Sequence, residues 1–259
     1  MQRRLAIPIA LLLAALLGAG VARGELSQSG DLRVSFDGGF SPRALPRDRL
    51  APVTVHVDGS IRTTDGSRPP QLRQMTIAIN RGGRLFTRGL PACPAGLLEA
   101  TTTEGALERC QGALVGHGSF AANVDFPSIS PFPAQGKMLA FYGRSGGHPA
   151  LLVHLYGSTP VQATLVIPFK ISRPSGGRFG TVLSARIPLL AGDQGYVTDI
   201  GLTIGRKFQY RGRQHSLLSA SCAAPAGFPG AVFEFAKGSF YFADGQKLTT
   251  LLTRDCRVR

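Results

Sequence analysis

Gly143–Arg144–Ser145–Gly146–Gly147 spells the glycine–x–serine–x–glycine pattern of a nucleophile elbow. An elbow works by turning a strand sharply into a helix, which lifts the serine hydroxyl over a sheet. Here the residues that follow, Pro149 to Tyr156, read as another strand, so Ser145 is expected at a flexible Gly-rich hairpin tip and not as a nucleophile. The five histidines do not cluster. His148 and His154 share a strand face, but at about 3.3 Å per residue they stand roughly 20 Å apart, too far for one metal ion. His56 belongs to the polar face of its strand and His215 lies near a basic turn. His117, between Gly116 and Gly118, is the one histidine in a loop suggestive of function. Glu234 and Asp125 come nearest to the paired carboxylates of glycoside hydrolysis. Each sits among apolar residues on a strand, where an outward, solvated acid is the ordinary outcome. No Asp-rich loop has calcium spacing. With no Trp and five Tyr, the chain also lacks the usual stacking platform for sugars. The sequence therefore assigns no catalytic residue, no metal ligand and no cofactor.

Two other residue classes carry more. Cys93, Cys110, Cys222 and Cys256 are an even set behind an export-like N-terminus, which reads as two disulfides. Three connectivities are open, and the local pairs Cys93–Cys110 and Cys222–Cys256 are favoured because each brackets one compact segment. Closing loops of that size stabilises by about 3–4 kcal/mol each in the chain-entropy model. A four-thiolate zinc site is disfavoured, since no two cysteines stand at finger spacing. Arg206, Lys207, Arg211 and Arg213 fall within eight residues without an acid, around the Arg211–Gly212–Arg213 turn, with Phe208 and Tyr210 among them. A hairpin carrying four cations is a candidate anion-binding site for an anionic envelope polymer or lipid headgroups. Nucleic acid is the less favoured anion, because stacking on a single strand would need more exposed aromatics. The plainer reading is a solvated turn in an Arg-rich chain. Of 29 basic residues 24 are Arg, a ratio that a GC-rich genome also produces.

The N-terminus explains the cysteines. Arg3 and Arg4 precede an uncharged apolar run, Leu5 to Leu17, which ends in Gly18–Ala19–Gly20–Val21–Ala22. That order is a secretory signal peptide over residues 1–22, with cleavage after Ala22. The run is shorter than the roughly 20 residues of a spanning helix, although Leu5 to Val21, if kept, would serve as an anchor. Removing residues 1–22 leaves 27 basic against 15 acidic residues, a net charge of +12. The expectation is a basic protein, secreted or extracytoplasmic and associated with the cell envelope, with no transmembrane span in the mature chain.

The elements that must position these residues are strands. Val53, Val55 and Val57 alternate with Thr54, His56 and Asp58, and Met75, Ile77 and Ile79 alternate with Thr76, Ala78 and Asn80. The same period recurs in Phe120–Phe126, Leu165–Ile171, Leu183–Ile187 and Ile200–Ile204, and period two is the signature of a half-buried strand. Leu151–Tyr156 and Phe233–Phe242 read as more fully buried. Asp–Gly and Gly–Gly pairs between the runs supply hairpin turns. Pro168 inside a strand pattern marks an edge or a bulge. Thr101 to Arg109 breaks the alternation, and Thr101 with Glu104 has capping-box spacing, which predicts a two-turn helix ending near Cys110. The fold class is all-β, an antiparallel β-sandwich-like domain over residues 23–259 with one short disulfide-tethered helix. If the domain is two-lobed, the internal boundary falls near residues 157–160.

Leu90–Pro91–Ala92–Cys93, then Gly105 to Gly116 through Cys110, and Phe242–Ala243–Asp244–Gly245 ahead of Cys256 form a set. In these elements the chain resembles a group of exported, β-rich actinobacterial proteins with a Leu-Pro-x-Cys element, a helix ending in Cys and a late Phe-x-Asp-Gly hairpin. The resemblance implies export and a β fold, and it implies no activity.

These readings favour a non-enzymatic, envelope-associated binding or structural module with weak affinity for anionic polymers. The alternative is a secreted hydrolase whose site is assembled from distant strands. A third, an apolar-ligand carrier, requires a hollow barrel, which alternation cannot distinguish from a filled sandwich. The shape of the interior decides between them.

Overall fold

A computed structural model of the chain describes residues 25–126, 131–159, 162–190 and 194–259. The signal-peptide segment 1–22 lies outside the described residues. Strands are numbered in chain order: β1 Glu25–Ser29, β2 Leu32–Ser41, β3 Ala44–Leu45, β4 Ala51–Pro52, β5 Thr54–Thr63, β6 Leu72–Asn80 and β7 Gly83–Leu85. After the helix α1, Thr103–Cys110, come β8 Leu114–Val124, β9 Phe132–Ser145, β10 His148–Thr159, β11 Ala163–Ser172, β12 Phe179–Arg186 and β13 Gly195–Ile204. The last five are β14 Lys207–Tyr210, β15 Arg213–Ser216, β16 Leu218–Ala220, β17 Gly230–Phe242 and β18 Lys247–Val258.

The protein is all-β with antiparallel pairing throughout its main sheet, save for the parallel contact of β18 with the two-residue β3. The sheet has 13 strands in the order β1-β2-β5-β13-β8-β9-β10-β11-β12-β6-β17-β18-β3. Strands on both sides of residues 157–160 belong to it. It curls until β1 meets β18, so its halves face one another across a common core in a sandwich-like, nearly closed barrel. Side chains join the seam. Ser27 lies 2.8 Å from the Thr249 carbonyl and 2.7 Å from the Thr250 hydroxyl, and the Glu25 carboxylate accepts from the Thr253 amide at 3.0 Å. Arg254 donates to the Gly38 carbonyl at 2.6 Å and pairs with Asp37, tying β18 to β2. Closing the sheet in this way covers the unpaired edges that would otherwise invite other strands.

Alternation sets the two faces. Val34, Phe36, Leu151, Val153, Leu183 and Leu252 point inward into the main core, while His56, Asp58 and Arg62 are exposed on the outer face. The more fully apolar run in β10 has a specific cause: both its faces are covered. Leu151, Val153 and Leu155 face the interior, and Ala150 and Leu152 face a second, smaller core on the outside of the wall. That core is roofed by α1 and the segment leading to it, with Leu98, Ala106 and Phe141 fully buried. The Cys93–Cys110 disulfide pins the roof, its Cα atoms 5.5 Å apart. The Cys222–Cys256 disulfide ties the segment after β16 to β18, at a Cα separation of 5.7 Å.

The helix is where expected, but its cap is one residue later. Thr102, not Thr101, is the N-cap, its hydroxyl accepting from the Gly105 amide at 3.1 Å, so Glu104 does not stand at the capping-box position. The Thr101 carbonyl is engaged elsewhere, by Thr164 at 2.9 Å and His154 at 3.1 Å, which holds that residue against the wall. Pro168 pairs with Leu152 on one side. On the other side β11 pairs with β12 only over Lys170–Ser172, so the proline stands at a local edge where its missing N–H breaks no ladder.

Candidate functional site

The inward faces do not fill the interior. Val55, Val57, Ile77, Ile79, Ile200 and Leu202 point inward yet are only half-buried. They surround a cavity of about 140 Å³ whose wall is almost wholly hydrocarbon. A second cavity of about 100 Å³ adjoins it, sharing Phe36, Met75, Met138 and Phe169 and extending past Leu155 and Ile187. The small sheet β4-β16-β7 covers one end. There the Gly82–Leu85 segment, Ala220 and Ser221 complete the wall, and the Ser221 amide meets the Gly82 carbonyl at 3.4 Å. Thr181, opposite Ile79 in the register, also lines the cavity.

A groove of about 490 Å³ on the outer face passes Glu104, Lys137, Tyr156 and Asp199. Two carboxylates, Glu104 and Asp199, come near this concavity. Both are solvated and ion-paired, Glu104 with Lys137 at 3.8 Å and Asp199 with Arg62 at 2.5 Å. Neither is held in the desolvated setting that an acid–base pair requires. Ser145 and His148 face one another across the β9–β10 hairpin, whose Gly146 and Gly147 have φ of 57° and 78°. A strand, not a helix, follows Ser145, and no hydrogen bond joins the pair among the described residues. Glu234 is partly buried in the wall and paired with Arg178, and Asp125 lies just past the end of β8. His117 is in strand β8, opposite Leu139 and Thr203, and not in a loop. The glycines that suggested a loop are close-approach positions in the ladder. Among the described residues no group of three or more His, Cys, Asp or Glu could hold a metal ion.

The four basic candidates lie on and beside the β14–β15 hairpin but do not share one face. Arg206 stands at its base, half-buried, and donates to the carbonyls of Gln111 at 3.0 Å and Leu114 at 2.5 Å. Lys207 pairs with Ser216 on the face opposite to that of Arg213 and Tyr210. Arg211 occupies the turn with its guanidinium 5.3 Å from the centre of the Tyr210 ring. The apolar face of the hairpin docks on Phe86, which stacks with His215 at 4.7 Å and Phe208 at 6.1 Å. Gly89 lies beneath Tyr210 at φ 80°, and a Cβ there would come within 2.0 Å of the ring. Gly89→Ala is therefore expected to cost about 1–3 kcal/mol, from overpacking and the left-handed backbone together. Urea melting of the variant, with tyrosine fluorescence following the hairpin, checks this.

Among the described residues His154 is the one fully buried histidine. Its Nε2–H donates to the Thr101 carbonyl, and Nδ1 has no partner. Burial pushes its pKa below the ordinary 6.5, against the smaller opposing effect of the Thr101 hydrogen bond. As pH falls below about 6.5 the unfolded chain takes up the proton first, so this stabilisation is complete above that pH and is lost as pH drops through the depressed folded value. The urea midpoint should fall between pH 7.5 and pH 5, and His154→Gln should flatten that part of the dependence. An unchanged slope in the variant would remove His154 as the cause.

No family model, no curated protein and no solved structure matches the chain. Fold and cavity define a class by architecture: a disulfide-stapled, all-β, barrel-like protein with an apolar interior. Among the described residues no helix is long and apolar enough to cross a membrane. The polar outer face and apolar inner face reverse the arrangement of a porin-type barrel. The two disulfides suit an oxidising compartment.

Proposed function

We propose that this is an extracytoplasmic binding protein whose interior receives a small apolar or amphiphilic molecule. The observation that carries the reading is the pair of adjoining hydrocarbon-lined cavities inside the curled sheet. Packed interiors hold few voids larger than a water molecule. Leaving about 140 Å³ empty forgoes about 3 kcal/mol at ~24 cal/mol per Å³. A ligand that fills the space recovers that contact, which is why apolar cavities bind apolar molecules. The reading needs no catalytic constellation, and it suits an exported protein, whose ligand would meet it outside the cytoplasm. The basic surface supports a weak, salt-sensitive association with anionic envelope polymer or headgroups as a secondary property.

The test is binding of N-phenyl-1-naphthylamine, whose fluorescence rises in an apolar site. The parent should bind it saturably. Val57→Phe and Ile77→Phe, which place rings in the cavity from different walls, should lose binding while keeping or raising the urea midpoint. Equal binding by parent and filled variants would place the probe elsewhere and defeat the reading.

A further inference from the structure

One cationic residue, Arg84, lines the end of the cavity covered by β4-β16-β7. Three further arginines lie around the Gly82–Leu85 segment: Arg81 precedes Gly82, and Arg173 and Arg178 come from the β11–β12 connection, where the Arg81 amide donates to the Arg178 carbonyl. Three of the four arginines are engaged. Arg81 donates to the carbonyls of Gly176 at 2.8 Å and Gly177 at 2.9 Å, Arg173 donates to the Leu85 carbonyl at 3.0 Å, and Arg178 is paired with Glu234. Arg84 contributes to the cavity lining, is exposed, and has no side-chain partner among the described residues. Ser221 and Thr181 belong to the lining of the same cavity. Everything deeper is apolar. A site with one unpaired cation at its rim and hydrocarbon behind fits a molecule with the same division.

We propose that the ligand is a single-chain amphiphile with an anionic head, carboxylate or phosphate, seated at Arg84 with its chain in the two cavities. This rests on the reading of the interior as a ligand site. An apolar cavity of about 150 Å³ accommodates one six-carbon ring, so two adjoining cavities of about 140 and 100 Å³ suit a chain of about ten carbons. Branched or two-chain lipids exceed the space. The head gains a charge-assisted hydrogen bond from a planar donor suited to carboxylate and phosphate alike.

The experiment uses the mature, disulfide-bonded protein and displacement of N-phenyl-1-naphthylamine by decanoate, decyl phosphate and 1-decanol. At low ionic strength the anions should displace the probe at concentrations about tenfold or more below that of decanol, a charged hydrogen bond being worth at least that factor. The ratio of decanoate to decyl phosphate tells carboxylate from phosphate preference. Arg84→Gln should remove the advantage without weakening decanol, Arg84→Lys should keep part of it, and added salt should reduce it in the parent. Because Arg84 is exposed and unpartnered, its replacement should leave the urea midpoint unchanged. Equal displacement by decanol and the anions, or an advantage that survives Arg84→Gln, overturns this proposal while leaving the apolar site standing. Failure of the parent to bind the probe or any of the three overturns both.

Discussion

Replacing Cys222 and Cys256 together by Ala is expected to lower the unfolding free energy by about 4 kcal/mol. The bridge closes a loop across a sequence separation of 34 residues, and chain entropy alone accounts for nearly that amount. Ala is the right replacement because both residues are buried, so a serine hydroxyl would add its own desolvation cost. At about 2–4 °C per kcal/mol for a chain of this size, the midpoint should drop by about 8–15 °C. The loss should be felt at the seam. Residue 256 lies in β18, the strand that meets β1 and β2, and β18 holds them by side-chain bonds, not by a continuous backbone ladder. Differential scanning calorimetry of the double variant measures the shift. A change under about 1 kcal/mol would mean that the linkage adds little to what the sheet already supplies. Hydrogen exchange should show β1 and β18 losing protection before β8–β10.

Phe141→Ala is expected to cost about 3–5 kcal/mol, the range for deleting a fully buried ring. Phe141 has no exposure and points out of the barrel into the second core, against the roof formed by α1 and its approach. An eight-residue helix has no stability of its own in water. It stays because Leu98 and Ala106 pack on Phe141 and Leu152 and because the Cys93–Cys110 bridge limits how far it can stray. Removing the ring should therefore release the roof while the barrel persists, so amide exchange in residues 95–113 should rise far more than in β2, β5 or β6. Uniform loss of protection would show instead that roof and barrel unfold as one unit.

The strands were legible because alternation is local: each of Val55, Val57, Ile77 and Ile79 is flanked by polar or small residues that turn away from the core. The helix was legible because alternation stops at Thr101, but its cap was placed one residue early. The Thr101 carbonyl is claimed by His154 and Thr164, more than fifty residues away. Parity gave two disulfides, and of three open connectivities the structure has the favoured one, in which each pair brackets one compact segment. Loops were harder: His117 between two glycines read as part of a loop, yet those glycines are needed inside β8 because neighbouring strands come too close for a side chain.

The basic hairpin shows the limit at a site. Turn chemistry at Arg211–Gly212 was readable, and so was the cluster of charge. Which side each cation takes depends on register, which puts Lys207 and Arg213 on different faces of the hairpin, while Arg206 is drawn back to the carbonyls of Gln111 and Leu114. Arg84, in contrast, gave no signal in the sequence, where it is one of 24 arginines. It acquires meaning because β7 pairs with β16 over the end of the barrel.

The sequence by itself determined an all-β chain with inward apolar faces, one short helix and two cystines, because each of these depends on side-chain type at short spacing. Only the tertiary structure decided that the sheet curls until β1 meets β18, and that its inward side chains leave space between them. A pattern of alternation states which way a residue points, but not how far away the opposite wall stands. That distance is set by how many strands join the sheet and how it bends, and it separates a filled sandwich from one with an apolar cavity.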